Sequence, residues 1–213
     1  MTSNLFAAAV AVSLAGAALA HGATFQISLD TSTLPGHPAG PFSIAFQLTD
    51  GSATNDGNTT VVLDQFTFGG GSANGLPSLI GSATGSLSTS VTLVDTMFFS
   101  YFVESFTPGN TLSFRLTANG GADAGGVPDL FALSILDGNG FELPTTGAFD
   151  AFLLSEWTTS NPPLAAYGSD NTRLPDVGLP APDITRVGEV PEPSTLMLAC
   201  GAAAILALRA RRR

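Results

Sequence analysis

Phe42-Ser43-Ile44-Ala45-Phe46-Gln47-Leu48 follows Pro41 and sets a large apolar side chain at every second position. A helix would need apolar residues three and four apart, whereas successive side chains of an extended chain point to opposite faces. The stretch therefore predicts a strand with one face on a core and the other in water. The same alternation recurs on both sides of it, in Phe25, Ile27 and Leu29, in Leu87, Thr89, Val91 and Leu93, in Leu112, Phe114 and Leu116, and in Phe131, Leu133 and Ile135. Denser apolar runs at 61–68 and 97–106 suit strands buried on both faces or central in a sheet, and 148–154 is a weaker candidate.

Turn signals separate these runs: Asp50-Gly51, Asp56-Gly57, Gly69-Gly70-Gly71, Pro108-Gly109-Asn110, Gly120-Gly121 and Asp137-Gly138-Asn139-Gly140. About eight short strands with such spacing, and no helical stripe, predict an all-β fold, an antiparallel two-sheet β-sandwich of jelly-roll-like type. The 24 Gly and 14 Pro fit many turns, and 44% apolar against 11% charged residues excludes a charge-rich disordered chain.

Both ends of the 213-residue chain read as processing segments. Residues 5–19 are an almost unbroken run of Ala, Val, Leu and Phe, too short for a membrane span, ending in Ala18-Leu19-Ala20 before His21. Small side chains at Ala18 and Ala20 make a signal-peptidase site, so residues 1–20 are expected to be removed and His21 to become the new terminus. The first four residues carry no Lys or Arg, a departure from the usual signal peptide. The other end reads Val190-Pro191-Glu192-Pro193-Ser194-Thr195, then an apolar run to Leu208, then Arg209, Arg211, Arg212 and Arg213 around Ala210. The prolines hold the first part extended, as a protease cleft requires. The fourteen residues 195–208 would cover roughly 21 Å as a helix, short against a hydrocarbon core of about 30 Å. Snorkelling arginines extend that reach, and the positive-inside rule keeps them cytoplasmic with the rest of the chain on the periplasmic side.

These three parts in this order resemble the PEP-CTERM sorting domain, with residues 190–195 as signature, a single C-terminal transmembrane helix and a basic cluster. The resemblance implies recognition and cutting by a membrane-embedded exosortase in a Gram-negative bacterium that makes exopolysaccharide. It implies transient anchoring in the inner membrane, then delivery to the cell surface or the extracellular matrix of a biofilm. The body also resembles a set of PEP-CTERM proteins through Asp30-Thr31-Ser32 and the stretch from Glu104-Ser105-Phe106 to Leu112-Ser113-Phe114. That likeness implies a β-sandwich and supplies no activity. The expected organisation is a signal peptide at 1–20, a sandwich at 21–160, a Pro/Asp/Gly-rich stalk at 161–189 with a further edge strand near 184–187 as an option, and the sorting tail at 190–213.

Between His21 and Glu189 there are sixteen Asp and Glu against three Arg, a net charge of −13, and the chain has no Lys. Such a body is repelled by phosphate backbones, which excludes nucleic acid as a partner. The one cysteine, Cys200, lies in the tail, so the body holds no disulfide, thiol nucleophile or thiolate metal site.

No catalytic constellation stands out. Serine hydrolysis needs an imidazole, and only His21 and His37 are present, the latter in the Pro-flanked loop Leu34-Pro35-Gly36-His37-Pro38, with no G-x-S-x-G elbow. Glu104, in an aromatic run, is the best candidate for one of a glycosidase's paired carboxylates; the plainer reading puts it on the solvent face of its strand. Calcium would need converging oxygens. The segment 50–58, Asp-Gly-Ser-Ala-Thr-Asn-Asp-Gly-Asn, is rich in them without fitting the EF-hand pattern, and Gly120-Gly121-Ala122-Asp123 is a fragment of another pattern. Turn chemistry accounts for both, so no cofactor is expected, with calcium as the alternative. Trp157, Tyr101 and Tyr167 are the candidate sugar platforms, and Trp157 could equally cap the core. The expectation is a non-enzymatic, exported surface or matrix protein associated with polysaccharide; a carbohydrate-binding or calcium-dependent adhesin and a glycan-active enzyme are the alternatives.

Overall fold

The computed structural model describes residues 23–52, 55–120, 126–157 and 163–187. The expected cleavage site at Ala18, Ala20 and His21, the motif from Val190 to Thr195, the apolar run and the arginine cluster lie outside the described residues. Among the described residues no helix is long and apolar enough to cross a membrane.

The strands are β1 (Ala23–Asp30), β2 (Phe42–Thr49), β3 (Thr60–Thr67), β4 (Ser72–Ala73), β5 (Ser78–Ile80), β6 (Thr84–Gly85), β7 (Ser90–Val94), β8 (Phe99–Thr107), β9 (Thr111–Asn119), β10 (Asp129–Leu136), β11 (Leu153–Trp157), β12 (Leu164–Ala166) and β13 (Asp183–Arg186). They form two antiparallel sheets, one ordered β13-β1-β9-β3-β7-β6 and the other β12-β11-β10-β2-β8-β4, with β5 also on β8. The all-β, two-sheet expectation is met. The period-2 pattern is the cause: Phe42, Ile44, Phe46 and Leu48 of β2 are buried against Leu112, Phe114 and Leu116 of β9 in one continuous core, and each such side chain contributes about 1.5–3 kcal/mol by leaving water.

Phe46 is the centre of that core. Its ring lies 5.8 Å from Phe102, 5.8 Å from Phe114 in an edge-on arrangement, 6.1 Å from Phe66 and 6.4 Å from Phe131. These separations fall in the range where aromatic quadrupoles attract.

Three expectations are corrected. Of the two readings of residues 97–106, the strand central in its sheet holds, since β8 lies between β2 and β4; burial on both faces does not, because Phe102 and Phe106 point inward and Tyr101 and Val103 are half-buried outside, only one side of that sheet meeting another sheet. Leu87, expected within a strand, is buried in the loop before β7. The Pro/Asp/Gly-rich segment is not an extended stalk over 163–187. The optional edge strand near 184–187 is present as β13, which pairs with β1 through Phe25 to Ser28; beyond that option, β12 pairs with β11, and Val177 and Leu179 are buried in the core. Isolated apolar residues between prolines sufficed to pin it, because Val177 and Leu179 join the core and Leu164, Leu174 and Ile184 pack against it.

Candidate metal centre

Asp50, Asp95 and Asp129 meet at one end of the sandwich although 79 positions separate the first from the last. Each stands at a strand end: Asp50 just after β2, Asp95 just after β7, Asp129 at the start of β10. β2 and β10 are hydrogen-bonded neighbours, with Thr49 opposite Leu130, so Asp50 and Asp129 fall side by side. Asp95 comes from the other sheet and is tied to the same loop, its N–H donating to the Thr59 carbonyl at 3.3 Å.

Each carboxylate spends one oxygen on the backbone of the segment between β2 and β3. Asp129 Oδ1 accepts the Gly51 N–H at 2.7 Å, Asp95 Oδ2 accepts the Thr59 N–H at 2.8 Å, and Asp50 Oδ2 accepts the Asn55 N–H. All three residues are at most 2% exposed. The second oxygens of Asp95 and Asp129, Oδ1 and Oδ2, are buried and have no hydrogen-bond partner among the described residues. One oxygen from each of the three aspartates lies within 4.8 Å of the other two.

Bare, this arrangement is costly. Two unit charges at that separation repel by roughly 3 kcal/mol at an effective dielectric of 20, and buried acceptors lose their hydration besides. Burial, aided by the charges of Asp129 and Asp56 and opposed by the Thr59 N–H, pushes the Asp95 carboxyl up from 3.8 to about 6. A divalent cation removes the conflict. A point central to three atoms so spaced is no more than about 2.8 Å from any of them, close to the 2.3–2.6 Å of calcium–oxygen bonds. The donors are all oxygens, with no His or Cys, which selects a hard cation over zinc or copper. Three carboxylates brought together from separate strand ends would suit calcium, whose oxygen shell tolerates uneven geometry, better than magnesium, which demands a near-ideal octahedron.

Asp50 was within the oxygen-rich segment expected from sequence; its partners were not. Asp95 in Val94-Asp95-Thr96 and Asp129 in Pro128-Asp129-Leu130 carry no local motif, and only strand pairing brings them together. Asp123 lies outside the described residues.

The other candidates go elsewhere. Glu104 is not on the solvent face: it points between the sheets, 3% exposed, and accepts the Leu87 N–H at 2.7 Å. His37 sits in its loop against Phe42, its Nδ1 accepting the Ala39 N–H. Trp157 is no sugar platform. It is 1% exposed and packs edge-on to Phe131 at 6.4 Å. Tyr101 and Tyr167 are half-buried.

Fold and site together define an antiparallel two-sheet sandwich with a buried three-aspartate centre at one end. The C-terminal residues 189–213 match the family model of the PEP-CTERM protein-sorting motif. The protein is thus an exported, cell-envelope-directed chain that is sorted through its tail by an exosortase. No curated protein and no solved structure matches the chain.

Proposed function

We propose that the sandwich is a non-enzymatic surface or matrix domain that a calcium ion locks at Asp50, Asp95 and Asp129 once the chain has left the cytoplasm. The supporting observation is that Asp95 and Asp129 each hold a buried carboxylate oxygen without a hydrogen bond among the described residues, in a group that brings one oxygen from each of three aspartates within 4.8 Å. The ion ties β2, β7 and β10, hence both sheets, in a body that has no disulfide to do so. The itinerary belongs to the same reading: residues 1–20 are cleaved as a signal peptide, the apolar run of the tail holds the chain briefly in the inner membrane, and the matured domain joins an exopolysaccharide or biofilm matrix.

The test is thermal unfolding in chelator and in millimolar calcium. A ligand at a hundred times its Kd adds about 2.7 kcal/mol, so a clear rise in midpoint is expected with calcium and a smaller one with magnesium. An unchanged midpoint would remove the ion from the account. Intact mass of the protein recovered from cells and medium tests the itinerary separately.

A second reading, a calcium-dependent adhesin, draws on Met97, Phe98 and Val127. These exposed apolar side chains flank the centre, with the Phe98 and Val127 carbonyls bonded to the N–H groups of Asp50 and Ser52.

A further inference from the structure

The outer face of the sheet containing β2 and β10 carries a cavity of about 360 Å³, remote in chemistry from the aspartate centre and independent of it. Its floor follows from register. Across three adjacent strands Tyr101 pairs with Gln47 and Gln47 with Ala132, and in the next row Ala45 pairs with Ser134. Ala45, Ala132 and Ser134 are small, so the middle of the face is hollow. Tyr101 stands on one side, stacked on Phe99 at 5.5 Å. Glu142, Phe149 and Asp150 come over from the connection between β10 and β11.

That wall is held against its own preferences. Phe149 and Asp150 have φ of 57° and 48°, a left-handed pair in non-glycine residues, at a cost of order 1–3 kcal/mol each. Arg173 braces them by bonding the Asp150 carboxylate, the Asp170 carboxylate and the Thr145 carbonyl. The result is a phenyl ring 71% exposed beside a polar hollow, where burial would be the default for such a side chain.

We infer that this hollow is a binding subsite for a neutral glycan, with Tyr101 and Phe149 receiving the C–H faces of a pyranose and Gln47, Ser134 and Glu142 its hydroxyls. The volume falls within the range of small-ligand sites, and the mixture of apolar walls with a few placed polar groups is their usual make-up. Charge narrows the class. Among the described residues no Lys or Arg lines the cavity, so uronate or phosphate-bearing glycans meet Glu142 unopposed. Asp150 is paired with Arg173, which leaves Glu142 as the lining carboxylate without an ion pair among the described residues and no multi-anion cage for an organic cation.

The experiment is affinity electrophoresis of the full chain in native gels containing dextran, mannan, galactan or, as the anionic control, alginate. Retardation of several-fold by at least one neutral polysaccharide is expected, none by alginate, and loss of it in Tyr101→Ala and in Phe149→Gly. The second variant removes the ring and relieves the left-handed backbone at once, so a melting midpoint at or above that of the wild type shows that lost binding there does not come from unfolding. Failure of every neutral polysaccharide to retard the chain, retardation by alginate alone, or full binding by both variants would overturn the proposal.

Discussion

Asp95 and Asp129 bring carboxylate oxygens within 4.8 Å of one another from opposite sheets of the sandwich, and each leaves a buried oxygen without a hydrogen bond. Such a pair stores repulsion in the metal-free fold, which a bound cation would release.

Asp95→Asn separates the two effects. The amide oxygen can still accept the Thr59 N–H while the charge is gone. In chelator the variant is expected to melt at or above the wild-type temperature, because one buried charge has been removed. In millimolar calcium it should show little or none of the wild-type increase. A calcium response equal to wild type would place the ion elsewhere.

The pH dependence of the metal-free protein follows from the same residue. Its carboxyl is raised from 3.8 to about 6, so between these values the native state holds a proton that the unfolded state has released. Stability from this group is present below about pH 4 and is lost as pH rises through about 6. Other carboxylates run the opposite way: Arg173 holds Asp150 below its ordinary range. The contribution is therefore read as the difference between wild type and Asp95→Asn in urea titrations in chelator. That difference should widen from pH 4 to pH 6 in favour of the variant, and a flat difference would contradict the assignment.

Phe46→Ala removes the ring that four other phenylalanines surround. A loss of about 3–5 kcal/mol is expected from lost transfer energy plus the cavity, measured as a lower urea midpoint at unchanged slope. Phe46→Leu should lose less.

Leu179→Ala distinguishes a packed segment from a stalk. Leu179 is 4% exposed, and its carbonyl accepts the Ser169 N–H at 2.9 Å. Packed, the substitution costs about 2–5 kcal/mol; in a solvated stalk it would stay within about 0.5 kcal/mol. Urea unfolding of the full chain decides between them.

Strand positions were legible where polar and apolar residues alternate along a strand with one more exposed face, as in β1, β2 and β9, because the alternation is written in consecutive residues. The margins were less so: Val177 and Leu179 sit between prolines and glycines, and no local pattern says that they turn back onto the core. Asp50 stood out within an oxygen-rich turn, whereas Asp95 and Asp129 looked like ordinary strand-end residues. The cavity beneath Phe149 was invisible for a similar reason, since Ala45 and Ala132 form a hollow only when β2 and β10 lie side by side.

The sequence by itself determined the address and the layer type: a sorting tail is read as a linear string, and the inside and outside of a strand follow from a period of two. The order of strands within each sheet was decided only by tertiary structure. That order places Gln47 between Tyr101 and Ala132, and the three aspartates at one end, because pairing joins residues far apart in the chain, and no local propensity encodes which strand becomes whose neighbour.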